Sequence, residues 1–256
     1  MLSASFVVSI LIQLVLPILV VIFIIRRYKT EWRLAGVGVL AYLVFQVAQP
    51  LLFQVIGETE FYTTQILPLP AVYLALVVGF LSAILEQAAR TGGFWYVRKN
   101  VQAQSQGLTV AAGHAGIESV LIGLQFLINF VFAISITASG IQAMNLPADE
   151  ALKLQQQIDT FWQLPWYLPL AAGLQRIVGM VIQFSLGLMI WQAVNRKAWV
   201  WVGAAVLWHT AMSALTVLLA VNNPDLVSIG IFVLMGLVNG GIFYMLYQKT
   251  KTVEIL

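Results

Sequence analysis

The chain has 256 residues, of which 61% are hydrophobic and only 9% are charged, and its formal net charge is +3. A soluble domain carries about a quarter charged residues, so this chain has too few ionisable side chains to cover a water-exposed surface. The composition therefore excludes a soluble fold, a nucleic-acid-binding protein and a secreted domain held by disulfides. Cysteine is absent, which also excludes thiol catalysis and a metal site built on cysteine.

Seven apolar stretches are long enough to cross a bilayer, which takes about 20 residues of α-helix. In chain order they cover residues 2–25, 34–56, 66–89, 108–138, 166–194, 199–221 and 226–247. The first is too long for a signal peptide and lacks a basic leader. We therefore expect an all-α, polytopic membrane protein with about seven transmembrane helices, in which residues 1–256 form a single integral membrane domain.

Two segments between the spans have their own patterns. Residues 94–106 are predicted to be a polar segment with aromatic anchors. Residues 148–163 place apolar side chains at helical spacing, which predicts an amphipathic helix on the membrane surface. Seven of the eight tryptophans lie near span ends, as in an interfacial aromatic belt; they are Trp32, Trp95, Trp162, Trp166, Trp191, Trp199 and Trp201.

The basic residues predict the orientation of the chain. Eleven of the 13 lysines and arginines lie near the ends of spans one, three and five or in the C-terminal tail. The opposite loops carry only one base, Lys153, and most of the acids: Glu58, Glu60, Asp149, Glu150, Asp159 and Asp225. Because cytoplasmic loops are enriched in lysine and arginine, the N-terminus is predicted to lie outside and the C-terminus in the cytoplasm.

Six ionisable side chains fall inside the spans or at their ends, where each costs about 2.5–3.5 kcal/mol of insertion free energy at the centre of a helix. They are Glu86, Arg90, His114, Glu118, Arg176 and His209. Several are spaced by four residues and so share a helix face. A helix rise of about 1.5 Å per residue places most of them, with Gln183, at one level in the cytoplasmic half of the membrane. We expect one polar, water-accessible cavity that opens to the cytoplasm.

The residue types suggest hydrolysis. Glu86 or Glu118 can activate water, an arginine can keep a carboxylate ionised, and two imidazoles can stabilise an oxyanion or move protons. A metal is an alternative, because His114, Glu118 and His209 form a two-histidine, one-carboxylate set of the kind that binds catalytic zinc. A proton-coupled transporter is also open, because the same residue types form intramembrane proton relays.

Structural interpretations of the same residues also remain open. Glu86 and Arg90 can form an ion pair whose arginine reaches the inner headgroups. Arg176 can bond to backbone carbonyls or to Gln175. Small residues predict close helix approach at Gly179 and at the pair Gly236 and Gly240.

At these motifs the chain resembles the YhfC family of bacterial integral membrane proteins, which is distantly related to the CAAX-type glutamic intramembrane proteases. The resemblance rests on residues 86–90 (Glu-Gln-Ala-Ala-Arg), residues 113–118 (Gly-His-Ala-Gly-Ile-Glu), residues 175–176 followed by Gln183, and His209. It implies a multi-pass protein of the bacterial cell membrane that cleaves a membrane protein or peptide.

The resemblance also implies residue roles. Glu86 would activate the water, Arg90 would orient Glu86, and His114 and His209 would stabilise the oxyanion. Glu118 would be a supporting partner or an alternative base; Gln175, Arg176 and Gln183 would support the site. A glutamic mechanism requires no cofactor, whereas a metal mechanism would use zinc.

The chain departs from the family pattern in four places. The pattern has a second carboxylate at Gln87, a glutamate at Gln175, a histidine at Gln183 and often an aspartate at Ser213. An amide keeps hydrogen bonding but loses proton transfer. A non-catalytic membrane relative of such proteases is therefore a further alternative.

Overall fold

Apolar segments form long helices throughout residues 1–221 and 226–251, the part of the chain that the computed structural model describes. Seven of these helices are long and apolar enough to cross a membrane, which confirms the predicted all-α polytopic fold. The helices are α1 (Leu2–Tyr28), α2 (Trp32–Gly57), α3 (Ala71–Val97), α4 (Gln104–Ser139), α5 (Ala148–Trp162), α6 (Tyr167–Asn195), α7 (Val200–Val221) and α8 (Leu226–Lys251). Asp225, one of the acidic loop residues above, lies outside the described residues.

The third span differs from its prediction at both ends. The chain first makes a π-helical turn over Tyr62–Ile66, and α3 begins only at Ala71, directly after Pro70. Proline fits the start of a helix because it lacks the N–H that a helix interior uses. At its other end α3 continues to Val97, so Phe94 belongs to the helix and is fully buried. The prediction of a separate polar segment over residues 94–106 is therefore wrong at its beginning.

The segment between the fourth and fifth spans forms α5, as its apolar spacing predicts. Ile158 is buried against Ala133 and Ile136 of α4 and against Ile141 in the preceding turn. The other face of α5 is exposed to solvent or lipid, so α5 is amphipathic.

Helix α4 is central and packs on α1, α2 and α6, while α3 packs on α2 and α7. Glycine permits the closest of these contacts: a Cβ atom at Gly38 of α2 would collide with the carbonyl oxygen of Val110, and one at Gly113 of α4 with that of Ala35. Among the residues that the structure describes, helix α8 packs mainly on α6 and makes few contacts with α7. This arrangement leaves room between α6, α7 and α8.

The largest buried cluster lies at the end of the bundle that carries the basic loops, here called the basic end. Phe94, Val101, Leu186, Ile190 and Trp191 are all at most 2% exposed there. The indole Nε1 of Trp191 donates a hydrogen bond to the carbonyl oxygen of Val101 over 3.0 Å. Trp191 is therefore a core residue, and its assignment to an interfacial belt is wrong. A position near a span end does not separate the two cases, because buried and interfacial tryptophans both occur there.

Candidate functional site

The site is built around the carboxylate of Glu86, in the third span. Arg90 follows it by one helical turn and its Nη2 donates to Oε1 of Glu86 over 2.7 Å. Both side chains are almost fully buried. The ion pair that the spacing of these two residues suggested is therefore present, but Arg90 is buried and does not extend to the headgroups.

Two other helices bring their histidines to the same carboxylate. His114 of α4 places Nε2 3.0 Å from Oε1 of Glu86. His209 of α7 places Nε2 3.6 Å from the other oxygen, Oε2. The second ring nitrogen of His209, Nδ1, lies 2.9 Å from the side-chain amide nitrogen of Gln87. Glu86 is thus faced by three nitrogen-bearing side chains from three helices.

The second carboxylate, Glu118, lies one turn beyond His114 on α4. Its Oε2 accepts a hydrogen bond from Nε2 of Gln183 over 2.6 Å, and its Oε1 lies 3.4 Å from Nη1 of Arg176. The side-chain oxygen Oε1 of Gln183 in turn accepts a hydrogen bond from Nη2 of Arg90. Gln183 therefore connects the arginine on one carboxylate to the other carboxylate.

The residues that the sequence singled out thus meet, with one exception. Glu86, Arg90, His114, Glu118, Arg176, Gln183 and His209 form one connected set of contacts. Gln175 lies beside this set and lines a neighbouring cavity without contacting either carboxylate. Arg176 contacts Glu118, rather than bonding to Gln175 as one sequence interpretation had it.

Sequence reasoning gave no site role to two neighbours of the histidines. Gln87 contacts His209; in the sequence Gln87 is marked only as an amide that replaces a carboxylate of the family pattern and as a polar group inside a span that needs a partner. Tyr42 of α2 is buried, with its ring 5.1 Å from the ring of His114 in an edge-on arrangement. An aromatic residue inside a span is ordinary, so nothing in the sequence marked Tyr42.

The ligand types at this site suit a zinc ion. Glu86, His114 and Glu118 each offer one ligand atom, and these atoms lie within 4.8 Å of one another. Two ligand atoms of one tetrahedral zinc ion, each about 2.0–2.2 Å from it, lie about 3.5 Å apart, so the side chains would have to move together by roughly an ångström to hold the ion. His209, a candidate ligand in the sequence, is not part of that group; its Nε2 lies 3.6 Å from Oε2 of Glu86, the oxygen that His114 does not contact.

The surroundings of His209 also suit a metal ligand. Oε1 of Gln87 is buried and has no hydrogen-bond partner among the described residues. Turning the side-chain amide of Gln87 by half a turn exchanges its donor and acceptor ends, and Oε1 then accepts a hydrogen bond from Nδ1 of His209. The lone pair of Nε2 then becomes free, as it is in histidines that bind metal and donate their other N–H to an acceptor.

A cavity of about 310 Å³ adjoins the site, here called the α6–α8 cavity. It is lined by Glu118, by residues between 175 and 183 of α6, by residues between 209 and 217 of α7, and by Phe232 and Met235 of α8. Gln183 and His209 lie at its end nearest the basic loops, and the rest extends the other way along α6 and α7. The sequence predicted a cavity that opens at the basic end, where the structure has the buried cluster around Trp191 instead.

The small residues near this cavity behave differently from one another. A Cβ atom at Gly236 of α8 would meet the side chain of Val178 on α6, so this glycine does admit a neighbouring helix. Gly240 has nothing within 4 Å of such an atom. Gly179 lines the cavity, and a Cβ there would meet only the guanidinium group of Arg176, at 3.8 Å. The expectation that Gly179 admits another helix is therefore wrong.

Comparison with known proteins identifies the family. A family model described as YhfC intramembrane metalloprotease matches residues 12–236. The Bacillus subtilis (strain 168) protein named "Uncharacterized membrane protein YhfC" is 23% identical over 209 residues, which cover 81% of each chain. No solved structure matches the chain. With the model matching most of its length, this chain belongs to the YhfC family.

Proposed function

We propose that this protein is an intramembrane peptidase in which Glu118 activates the water that hydrolyses a peptide bond of the substrate. The observation that carries the proposal is the meeting of Glu86, His114 and Glu118 at one buried point of a membrane-spanning bundle. Each ionisable group costs insertion free energy, so three of them together require a role beyond packing. Membership of a family described as metalloproteases supports the same reaction.

Glu118 is better placed than Glu86 to act as the base. Its side chain is 17% exposed and lines the α6–α8 cavity, whereas that of Glu86 is 4% exposed and faces Arg90 and two histidines. A base must lie within hydrogen-bond reach of the water that it deprotonates. In the proposed reaction Glu118 takes a proton from water, the water oxygen bonds to the carbonyl carbon, the C–N bond breaks, and the proton passes to the leaving nitrogen.

Glu86 has a different role in this proposal. It anchors Arg90 and orients His114 and His209. The N–H donors close to an oxyanion that forms beside Glu118 are Gln183, Arg176 and His114. If a zinc ion is resident, Glu86, His114 and Glu118 would hold it, Glu118 would be a ligand instead of the free base, and the ion would supply Lewis-acid activation of the water and the carbonyl group. Arg90 keeps Glu86 in place with or without the ion.

The setting of this reaction is also part of the proposal. We place the protein in the bacterial cell membrane, with the N-terminus outside and the basic end in the cytoplasm, because the basic loops follow the positive-inside rule. The substrate is then a membrane protein or a membrane-spanning peptide, since lipid surrounds the helices that enclose the site.

The test is cleavage by the purified protein in liposomes. Wild-type protein, with and without added zinc, is incubated with a mixture of synthetic membrane-spanning peptides, and the products are identified by mass spectrometry. We expect Glu118→Gln and His114→Ala each to reduce cleavage by at least about a hundredfold, as loss of a general base or an oxyanion donor does. Glu58→Gln, at an exposed acid outside the site, is the matched control and keeps full activity.

Two results would contradict the proposal. One is cleavage that survives in both Glu118→Gln and His114→Ala while all variants insert and unfold like wild type. The other is a proton or solute flux through the liposomes that depends on Glu86 without any cleavage, which would favour a transporter.

A further inference from the structure

We propose that the α6–α8 cavity is the substrate subsite of this peptidase and receives an aliphatic side chain of a membrane-spanning peptide beside the scissile bond. The inference rests on the proposed function, because it takes Glu118 as the reacting base. It also names a direction: the peptide reaches the site from the half of the bundle that faces away from the basic loops.

The location of the cavity carries the first step. Glu118 and His209 form one end of it, so a group inside the cavity lies beside the proposed base. On the other side of the site, toward the basic end, Leu186, Ile190 and Trp191 are closely packed and at most 2% exposed. A peptide can therefore approach Glu118 through the cavity and not through this cluster.

One wall of the cavity offers polar groups. The amide of Gln175 and the hydroxyl of Ser213 line it, and within residues 1–221 and 226–251 neither side chain has a hydrogen-bond partner. The guanidinium of Arg176 is 21% exposed and makes one long contact, to Glu118. A peptide must be unwound to be cleaved, and its freed backbone groups need hydrogen bonds inside a membrane. These three side chains can supply them.

The other wall is apolar and suits a side chain. Val178, Ile182, Met212, Phe232 and Met235 face the same space. A volume of about 310 Å³ is at the small end of ligand sites, which matches a short stretch of peptide and not a folded domain. Gly179 keeps this space open, since no neighbouring helix occupies the position of its missing Cβ.

The packing of the helices provides an entrance from the lipid. Helix α7 packs mainly on α3 and α8 mainly on α6, so the backbones of α7 and α8 come close at few positions. Elsewhere side chains of the described residues fill the gap between α7 and α8, among them Met212 and Phe232, and Trp208 of α7 donates a hydrogen bond to Asn239 of α8. Side chains change rotamer on fast timescales, so a peptide can pass here without separating packed helices.

The absence of cysteine from the chain allows a direct test by disulfide cross-linking. The probe is a synthetic membrane-spanning peptide of about 20 leucine and alanine residues with one central cysteine. Ser213→Cys places a thiol in the cavity, and Ala211→Cys places one at nearly the same depth on the exposed face of α7. We expect Ser213→Cys to cross-link about ten times faster than Ala211→Cys, the discrimination that a fitted apolar pocket gives.

Filling the cavity should abolish this difference. Combined with Ser213→Cys, Gly179→Leu and Thr216→Leu fill the cavity from opposite walls, and each is expected to reduce cross-linking to the rate of Ala211→Cys. Gly203→Leu, at an exposed glycine of α7 with nothing within 4 Å, is the matched control and leaves the rate unchanged. Using two filling variants protects the test against the misfolding of one.

The possible results separate the subsite from the peptidase. Equal cross-linking of Ser213→Cys and Ala211→Cys, or cross-linking that survives both filling variants, overturns the subsite, even if Glu118-dependent cleavage is found. Specific cross-linking in a protein that cleaves none of the peptides supports the subsite as a peptide-binding site and contradicts the proposed hydrolysis.

Discussion

The buried ion pair between Glu86 and Arg90 makes a strong prediction about stability. Its atoms lie 2.7 Å apart, and the two side chains are 4% and 2% exposed. Glu86→Gln leaves Arg90 as a buried charge without its main counter-ion, and Arg90→Met does the same to Glu86. The double variant leaves neither charge. The single variants should therefore be less stable than the double variant.

The magnitude follows from the cost of an unpaired buried charge. Removing one partner of a buried pair typically costs about 3–5 kcal/mol, whereas replacing both by apolar or neutral groups is often close to neutral. Glu118 also interacts with Arg90, directly through its charge and by way of Gln183, and compensates part of the loss. We expect about 3 kcal/mol for Glu86→Gln, the lower end of that range, because Glu118 remains as a second negative charge.

The measurement is a double-mutant cycle of unfolding free energy in bicelles, with a chelator present so that no metal contributes. We expect a coupling free energy of about 2 kcal/mol or more between positions 86 and 90. The exposed pair Glu31 and Arg33 is the control, for which coupling is at most about 1 kcal/mol. Strictly additive effects at positions 86 and 90 would refute the reasoning, because they would mean that water reaches the pair and screens it.

Three other predictions concern single positions. If His209 joins the metal site, Gln87→Leu should weaken zinc binding by about 10–100-fold, because it removes the partner that orients this ligand. Competition with a chromophoric chelator measures the affinity. An unchanged affinity would remove His209 from the ligands. Gly38→Ala should prevent folding, since its Cβ collides with backbone, whereas Gly36→Ala, with nothing within 4 Å, should unfold like wild type; equal thermal stability would contradict the packing of α2 on α4. Trp191→Phe should cost about 0.5–1.5 kcal/mol of unfolding free energy, because it removes one of the two hydrogen bonds to the carbonyl oxygen of Val101 and leaves the one from Asn195. A cost near zero would place the indole outside the core.

The sequence predicted the seven spans because an apolar stretch of about 20 residues has few alternatives to a transmembrane helix. It also predicted which polar residues meet. An ionisable group inside a span needs a partner, and counting the rise per residue places Glu86, His114 and His209 at compatible depths. Both arguments use only the length, composition and residue spacing of single helices, and these can be read directly from the sequence.

What the sequence did not predict depends on how helices are rotated and spaced. Trp191 lies near a span end like the tryptophans of an aromatic belt, and only the packing of α6 on α4 shows that it faces inward. Gly179 has the spacing of a helix-packing residue, but α8 meets α6 at Val178 instead and leaves Gly179 beside a cavity. Tyr42 is next to His114 because α2 and α4 cross closely. Gly38 and Gly113, which are far apart in the sequence, make this close crossing possible.

The amides at positions 87 and 183 bear on whether the chain is a non-catalytic relative. At position 183 the carbonyl end accepts from Arg90 and the amide end donates to Glu118, so Gln183 joins a cation to an anion. A neutral histidine can also donate and accept, but a glutamate could only accept. Gln87 likewise contacts His209 as an orienting partner and not as a proton carrier. In this chain the two amides therefore connect other polar groups, while two histidines and two carboxylates remain together, and in the proposed mechanism Glu118, not an amide, moves the proton.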